Sequence, residues 1–100
     1  MPRIGANPEQ LFAAGWSASF ESAIALAARE SRVSLGEITI EAELDLQSAD
    51  CGNYFLSARL NISIPGIEHA VAKDLVRQAE HLCPYSRATR GNNDVTYDVL

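Results

Sequence analysis

Residues 7–32 form the longest apolar stretch of the chain. The run LFAAGWSASFESAIALAA has Ala, Leu, Phe and Ile at most positions and no proline. Asn7 is placed to cap a helix, Pro8 then takes the first helical position, and Glu9 sits near the positive end of the helix dipole. One long helix is predicted, apolar around nearly its whole circumference and therefore buried on most sides. At ~1.5 Å per residue it would measure about 39 Å, against roughly 33 Å for the diameter of a compact domain of this size. Such a helix either breaks, with Gly15 a plausible place, or is covered by a second subunit.

The period then changes from helical to alternating. From 37 to 46 (EITIEAELDL) polar and apolar residues alternate without exception, and Leu56, Ala58, Leu60, Ile62 and Ile64 continue the pattern. Ser48, Ala49, Asp50, Cys51, Gly52 and Asn53 between them carry turn chemistry, so a β-hairpin with a wet, acidic outer face is predicted. Pro65 and Gly66 end it. Over 67–82 a second helix is expected, with Ile67, Val71, Leu75, Ala79 and Cys83 recurring every fourth residue and Leu82 beside them. Pro84 stops that helix. Residues 85–93 read as a loop, and Val95, Tyr97 and Val99 as a final strand. The expected order is α-β-β-α-β, an α+β fold in one domain spanning 1–100.

Composition narrows the class. One hundred residues with 47% hydrophobic and 21% charged content describe a globular domain rather than a disordered or fibrous chain. No apolar run is expected to reach the ~20 residues that span a bilayer, and the N-terminus lacks the apolar core of a secretory signal. Two cysteines, Cys51 and Cys83, are too few for a disulfide framework and fit a reducing, cytoplasmic setting. The net charge of −5 and the scattered Arg and Lys residues argue against nucleic-acid binding.

Few residues offer chemistry. Cys83 ends the apolar stripe just before a proline, where a small buried hydrophobe is the commoner role; a helix C-terminus also does nothing to ionise a thiol. Cys51 reads as incidental in its turn. Ser19 shares a helix face with Phe12, Trp16, Ala23 and Leu26, and a serine there ordinarily bonds back to a carbonyl one turn earlier. His69, His81 and Cys83 have no metal-ligand spacing, so neither metal nor cofactor is expected.

The stretch NPEQLFAAGWSASFESA followed by CPYSRATRGNNDV resembles the organic hydroperoxide resistance branch of the OsmC/Ohr family, in the family's order and with a hairpin between. The resemblance implies an OsmC/Ohr-like fold and an intertwined homodimer with two active sites at the subunit interface. It also implies thiol-dependent reduction of organic hydroperoxides to alcohols in the oxidative stress response. In that chemistry a peroxidatic cysteine becomes sulfenic acid, condenses with a resolving cysteine, and the disulfide is reduced by a dithiol such as a lipoyl group. Cys83 matches the resolving position, and Glu9 matches a glutamate that orients an arginine. Phe12, Trp16 and Phe20 are the expected substrate pocket.

The chain departs from the family at two places. Ser19 stands where the family has its peroxidatic cysteine, and a hydroxyl cannot climb the sulfur oxidation ladder. The strands that usually precede NPEQ, with their activating arginine, are not in the sequence, and Arg3 is the sole arginine upstream of Glu9. Two origins for Ser19 stand open: a cysteine replaced in an active enzyme, or a shortened relative that has lost peroxidase chemistry, the second favoured by the missing strands. Glu9 and Ser19 can share a site only if the helix breaks near Gly15 or the chain before it folds back. A one-cysteine thiol at Cys83 and a non-catalytic dimeric binding module for a small apolar ligand are the alternative readings.

Overall fold

The computed structural model describes residues 7–48, 54–91 and 93–100, so the predicted turn with Cys51, and Arg3, lie outside the described residues. Six elements follow in order: α1 (Pro8–Glu30), β1 (Thr39–Ser48), β2 (Tyr54–Ser63), α2 (His69–Leu82), α3 (Pro84–Thr89) and β3 (Asp94–Val99). The predicted α-β-β-α-β order holds, with one helix added.

The sheet runs β1-β2-β3. β1 and β2 pair antiparallel, and β3 joins β2 parallel. Register places three rows of apolar residues on one face: Leu44, Ala58 and Val95; Ala42, Leu60 and Tyr97; Ile40, Ile62 and Val99. Because side chains alternate across a strand, the opposite face collects Glu41, Glu43, Asp45, Asp94 and Asp98 around Arg59. Arg59 pairs with Asp98 at 3.5 Å, both well exposed, so this acidic face is solvated as its sequence implied. The parallel return to β3 uses α2 and α3 as its crossover.

α1 and α2 cover the apolar face. Trp16, Phe20, Ala23 and Ile24 of α1, and Ala72, Val76 and Ala79 of α2, form one core with Ala58, Leu60 and Ile62. Asn7 caps α1 as expected: its Oδ1 accepts the Gln10 backbone N–H at 2.8 Å, with Pro8 next in the first turn. At the other end Arg32 takes a left-handed φ of 59°, and Val33 N–H reaches back to the Ala28 carbonyl at 2.8 Å.

Four expectations need correction. α1 does not break at Gly15; it runs unbroken for 23 residues. Nor is it buried on most sides within this chain, since burial follows a three-and-four stripe through Trp16, Phe20, Ala23, Ile24, Ala27 and Ala28, while Leu11 and Leu26 stay exposed. α1 is also long and apolar enough by composition to cross a bilayer, contrary to the sequence expectation, although its buried stripe packs on the sheet as a core helix does. In α2 the every-fourth series holds only in part: Leu75, Ala79 and Cys83 are buried and Ile67 packs on the core, but Val71 and Leu82 are exposed, and Ala72 and Val76 are buried in addition. Steps of four overshoot a 3.6-residue turn by about 40° each, so a series centred on the buried face at Ala79 is off it by Val71.

Candidate active site at the Ser19–Cys83 contact

The loop expected after Pro84 is a helix. Pro84 both stops α2 and starts α3, because a fixed φ and a missing N–H suit a first helical position. Cys83 is thereby the single non-helical residue between two helices, with extended backbone at φ −77° and ψ 121°. Its N–H donates to the Ala79 carbonyl at 2.8 Å, and its own carbonyl accepts from Arg87 N–H at 3.0 Å. The side chain is fully buried.

Its polar neighbour is Ser19. Ser19 Oγ lies 3.3 Å from Cys83 Sγ, across 64 residues of sequence. Three serines on α1 make the contrast clear. Ser17 donates to the Ala13 carbonyl at 2.9 Å and Ser22 to the Ala18 carbonyl at 3.2 Å, the local bonds expected of helical serines. Ser19 instead turns to the thiol. The two cysteine positions of the family resemblance are thus brought face to face, and Cys83 is the one cysteine among the described residues.

Aromatic packing surrounds this pair. Trp16, one turn before Ser19, and Phe20, the next residue after it, are fully buried and belong to the core, whereas Phe12 is half-buried. Phe12 stacks on Trp16 with centroids 5.7 Å apart and meets Tyr85 at 5.6 Å. Phe20 stacks on Tyr97 at 5.4 Å. Glu9 lies elsewhere. Ten residues upstream on an unbroken helix, it is about 15 Å from Ser19 along the axis. There it lines a hollow of about 340 Å³ with Gln10, Ala42 and Asp45. A single chain does not bring Glu9 to the thiol.

Sequence reasoning missed two supporting residues, Ser86 and Tyr85. Ser86, buried on α3, accepts hydrogen bonds from Trp16 Nε1–H at 3.1 Å and from the Tyr97 hydroxyl at 2.9 Å. Tyr85 lies against Gly15 so closely that a Cβ there would sit 2.6 Å from its hydroxyl oxygen. The signals were present: a glycine inside a helix often marks close approach, and a buried Trp or Tyr must find a polar partner. Burial pushes the Tyr97 phenol above its ordinary value, offset in part by the Ser86 hydroxyl, whose proton can turn toward a phenolate. Beside this network Glu80, Ser86, Thr89, Arg90 and Tyr97 line a cavity of about 270 Å³. Glu80 is raised there by loss of solvent, against the pull of His81, Arg90 and Arg77. His81 Nδ1 faces Arg90 Nη2 at 3.3 Å, and His69 Nε2 meets the Val99 carbonyl at 3.0 Å.

Comparison with known proteins follows the same lines. The family model described as OsmC-like protein matches residues 2–98. The chain is 46% identical over 94 residues to the organic hydroperoxide resistance protein OhrA of Bacillus subtilis, covering 93% of this chain and 66% of that one. It is 43% identical over 94 residues, with the same coverage, to the organic hydroperoxide resistance protein-like 2 of Staphylococcus epidermidis. It therefore spans slightly less than two thirds of these relatives. Among solved structures, the organic hydroperoxide resistance protein OhrB of Bacillus subtilis superposes with a TM-score of 0.92 at 35% identity, over 98% of this chain and 73% of that one.

Proposed function

Because the chain belongs to the OsmC-like family, we propose that it is an organic hydroperoxide resistance protein in which the two thiol positions meet but the attacking sulfur is lacking. The observation that carries this reading is the 3.3 Å contact between Ser19 Oγ and Cys83 Sγ. A thiol at position 19 would stand directly beside a second, buried thiol, which is the arrangement a two-cysteine peroxidase needs.

The chemistry then runs in three steps. A thiolate at position 19 attacks one peroxide oxygen, the O–O bond breaks, and the departing alkoxide takes a proton to become the alcohol. The sulfur is left as sulfenic acid. Cys83 Sγ attacks that sulfur, its proton leaves with the sulfenic oxygen as water, and a disulfide forms. An external dithiol, of the lipoyl class, reduces the disulfide and becomes a cyclic disulfide itself. With Ser19 in place the first step has no nucleophile: a serine hydroxyl is not ionised at neutral pH and cannot be oxidised in this way.

The proposal includes a homodimer acting in the cytoplasm. Leu11 and Leu26 are exposed on α1, and a hollow of about 630 Å³ opens beside that helix, where Ala18, Ala25, Leu35 and Ile38 are joined by Glu21 and Glu37. A second copy laid over this flank would bury what one chain leaves open. Of the three residues expected to form the substrate pocket, Trp16 and Phe20 are buried in the core, which leaves half-buried Phe12 to meet the organic group of the peroxide. The arginine-orienting role of Glu9 rests on the family resemblance.

The test is reduction of cumene hydroperoxide with dihydrolipoamide, comparing the chain, its Ser19→Cys variant and a Cys83→Ser control. The chain should not exceed the control, and Ser19→Cys should turn over substrate. An inert Ser19→Cys protein would overturn the proposal.

A further inference from the structure

We infer that Ser86 is a positioning residue for Cys83, holding its sulfur within bonding range of residue 19; this rests on the peroxidase reading and deepens it. Cys83 lies on a one-residue hinge between α2 and α3. Its side chain direction is set by how these two helices meet. α2 is anchored by Ala72, Leu75, Val76 and Ala79 in the core. α3 has six residues, and just two of them, Ser86 and Thr89, are buried.

The two buried residues differ in what they do. Thr89 Oγ1 donates to the Tyr85 carbonyl at 2.9 Å and the Ser86 carbonyl at 3.3 Å, bonds internal to α3. Ser86 reaches outward. Its Oγ accepts from Trp16 Nε1–H on α1, one helical turn before Ser19, and from the Tyr97 hydroxyl on β3. Both acceptor positions of the hydroxyl oxygen are used. One buried atom therefore ties the hinge that carries Cys83 to the helix that carries residue 19 and to the sheet beneath both.

Disulfide formation is sensitive to this tie. A disulfide accepts a narrow band of Cα separations and torsions, so a small rotation of α3 takes Cys83 Sγ out of line. Condensation of the sulfenic acid needs that alignment. Attack on the peroxide occurs at residue 19, whose hydrogen bond is to Cys83 and not to Ser86, and does not depend on that alignment. Loss of the tie should therefore separate the two steps.

The experiment uses the Ser19→Cys protein, alone and with Ser86→Ala or Tyr97→Phe added. After one equivalent of cumene hydroperoxide, dimedone capture reports sulfenic acid at position 19 and mass spectrometry reports the disulfide. Equilibration with oxidised and reduced dithiothreitol measures the effective concentration of the thiol pair without any peroxide. Both added substitutions should lower that effective concentration, Ser86→Ala by at least about tenfold, and should shift the product toward the dimedone adduct. Tyr97→Phe keeps the ring that stacks on Phe20, so it serves even where Ser86→Ala fails to fold. An effective concentration within about twofold of the parent in the folded variants, whatever their melting temperature, would overturn the assignment. If the parent ignores the peroxide yet forms the disulfide with dithiothreitol, the peroxidase proposal fails while the positioning of Cys83 is still measured.

Discussion

The hydroxyl oxygen of Tyr85 lies 2.6 Å from where a Cβ on Gly15 would stand, closer than two such atoms can approach. Gly15 is therefore the contact at which α3 lies against α1. A glycine inside a helix ordinarily costs about 1 kcal/mol relative to alanine, yet here it lets an aromatic ring rest on the backbone between Phe12 and the hinge at Cys83. Gly15→Ala gains that propensity and loses more by overpacking, typically about 1–3 kcal/mol. A melting temperature lower by several degrees is expected. Adding Tyr85→Phe removes the nearest atom and should return much of the loss, while Tyr85→Phe alone should have little effect. Thermal unfolding of the three variants checks this, and a stabilised Gly15→Ala protein would show that Tyr85 moves aside freely.

Tyr97 gives a signature at high pH. Its folded pKa is raised above the ordinary value of 10.0, first by burial. A group raised on folding contributes stability that is present below its unfolded pKa and is lost as pH rises through the folded one. The protein should therefore lose stability above pH 10, and Tyr97→Phe should lose less over the same range, although it starts lower because Ser86 keeps only the Trp16 donor. Denaturant midpoints at pH 8 and pH 11 make the comparison. Equal slopes for the two proteins would remove Tyr97 from the account.

Glu80 acts at the other end of the scale. Its carboxyl is raised by loss of solvent more than His81, Arg90 and Arg77 lower it. Ionisation of Glu80 at neutral pH therefore works against the fold, and its favourable contribution is complete only below the unfolded value near 4.5. Glu80→Gln keeps the shape and removes the charge. It should melt slightly above the parent at pH 7, with the gap closing as pH falls below 4.5. A variant that melts lower at pH 7 would mean that the pull of its neighbours outweighs the burial.

Most of the fold was legible because its periods are clean. The strict alternation before and after the turn set β1, β2 and their buried faces, and Asn7 with Pro8 marked the start of α1. The errors came from residues with two physical uses. Gly15 was read as a break because glycine weakens helices, when its use is close approach to Tyr85. Pro84 was read as a terminus alone, although proline ends one helix and starts another equally well. At the site, Ser19 and Cys83 were found through a family resemblance, since nothing local in either segment shows that they meet across 64 residues. Ser86 was invisible for the same reason: a small polar residue shows its importance only when the Trp16 and Tyr97 donors converge on it.

The 19–83 contact can be read through stability as well as chemistry. Closing a covalent link across a 64-residue separation removes loop entropy from the unfolded chain worth about 4 kcal/mol on the chain-entropy account. Native strain subtracts from this, but the two side-chain atoms already stand 3.3 Å apart, so little backbone movement is needed. Oxidised Ser19→Cys protein should therefore melt well above the same protein reduced, by more than about 10 °C at the usual conversion for a domain of this size. The reduced form should stay close to the parent, since a thiol replaces a hydroxyl of similar shape at a half-buried position. Calorimetry with and without a reductant separates the two states. An oxidised protein that gains nothing, or melts lower, would show that the disulfide forms only by distorting α3, and would count against Cys83 as a thiol set to receive a bond from residue 19.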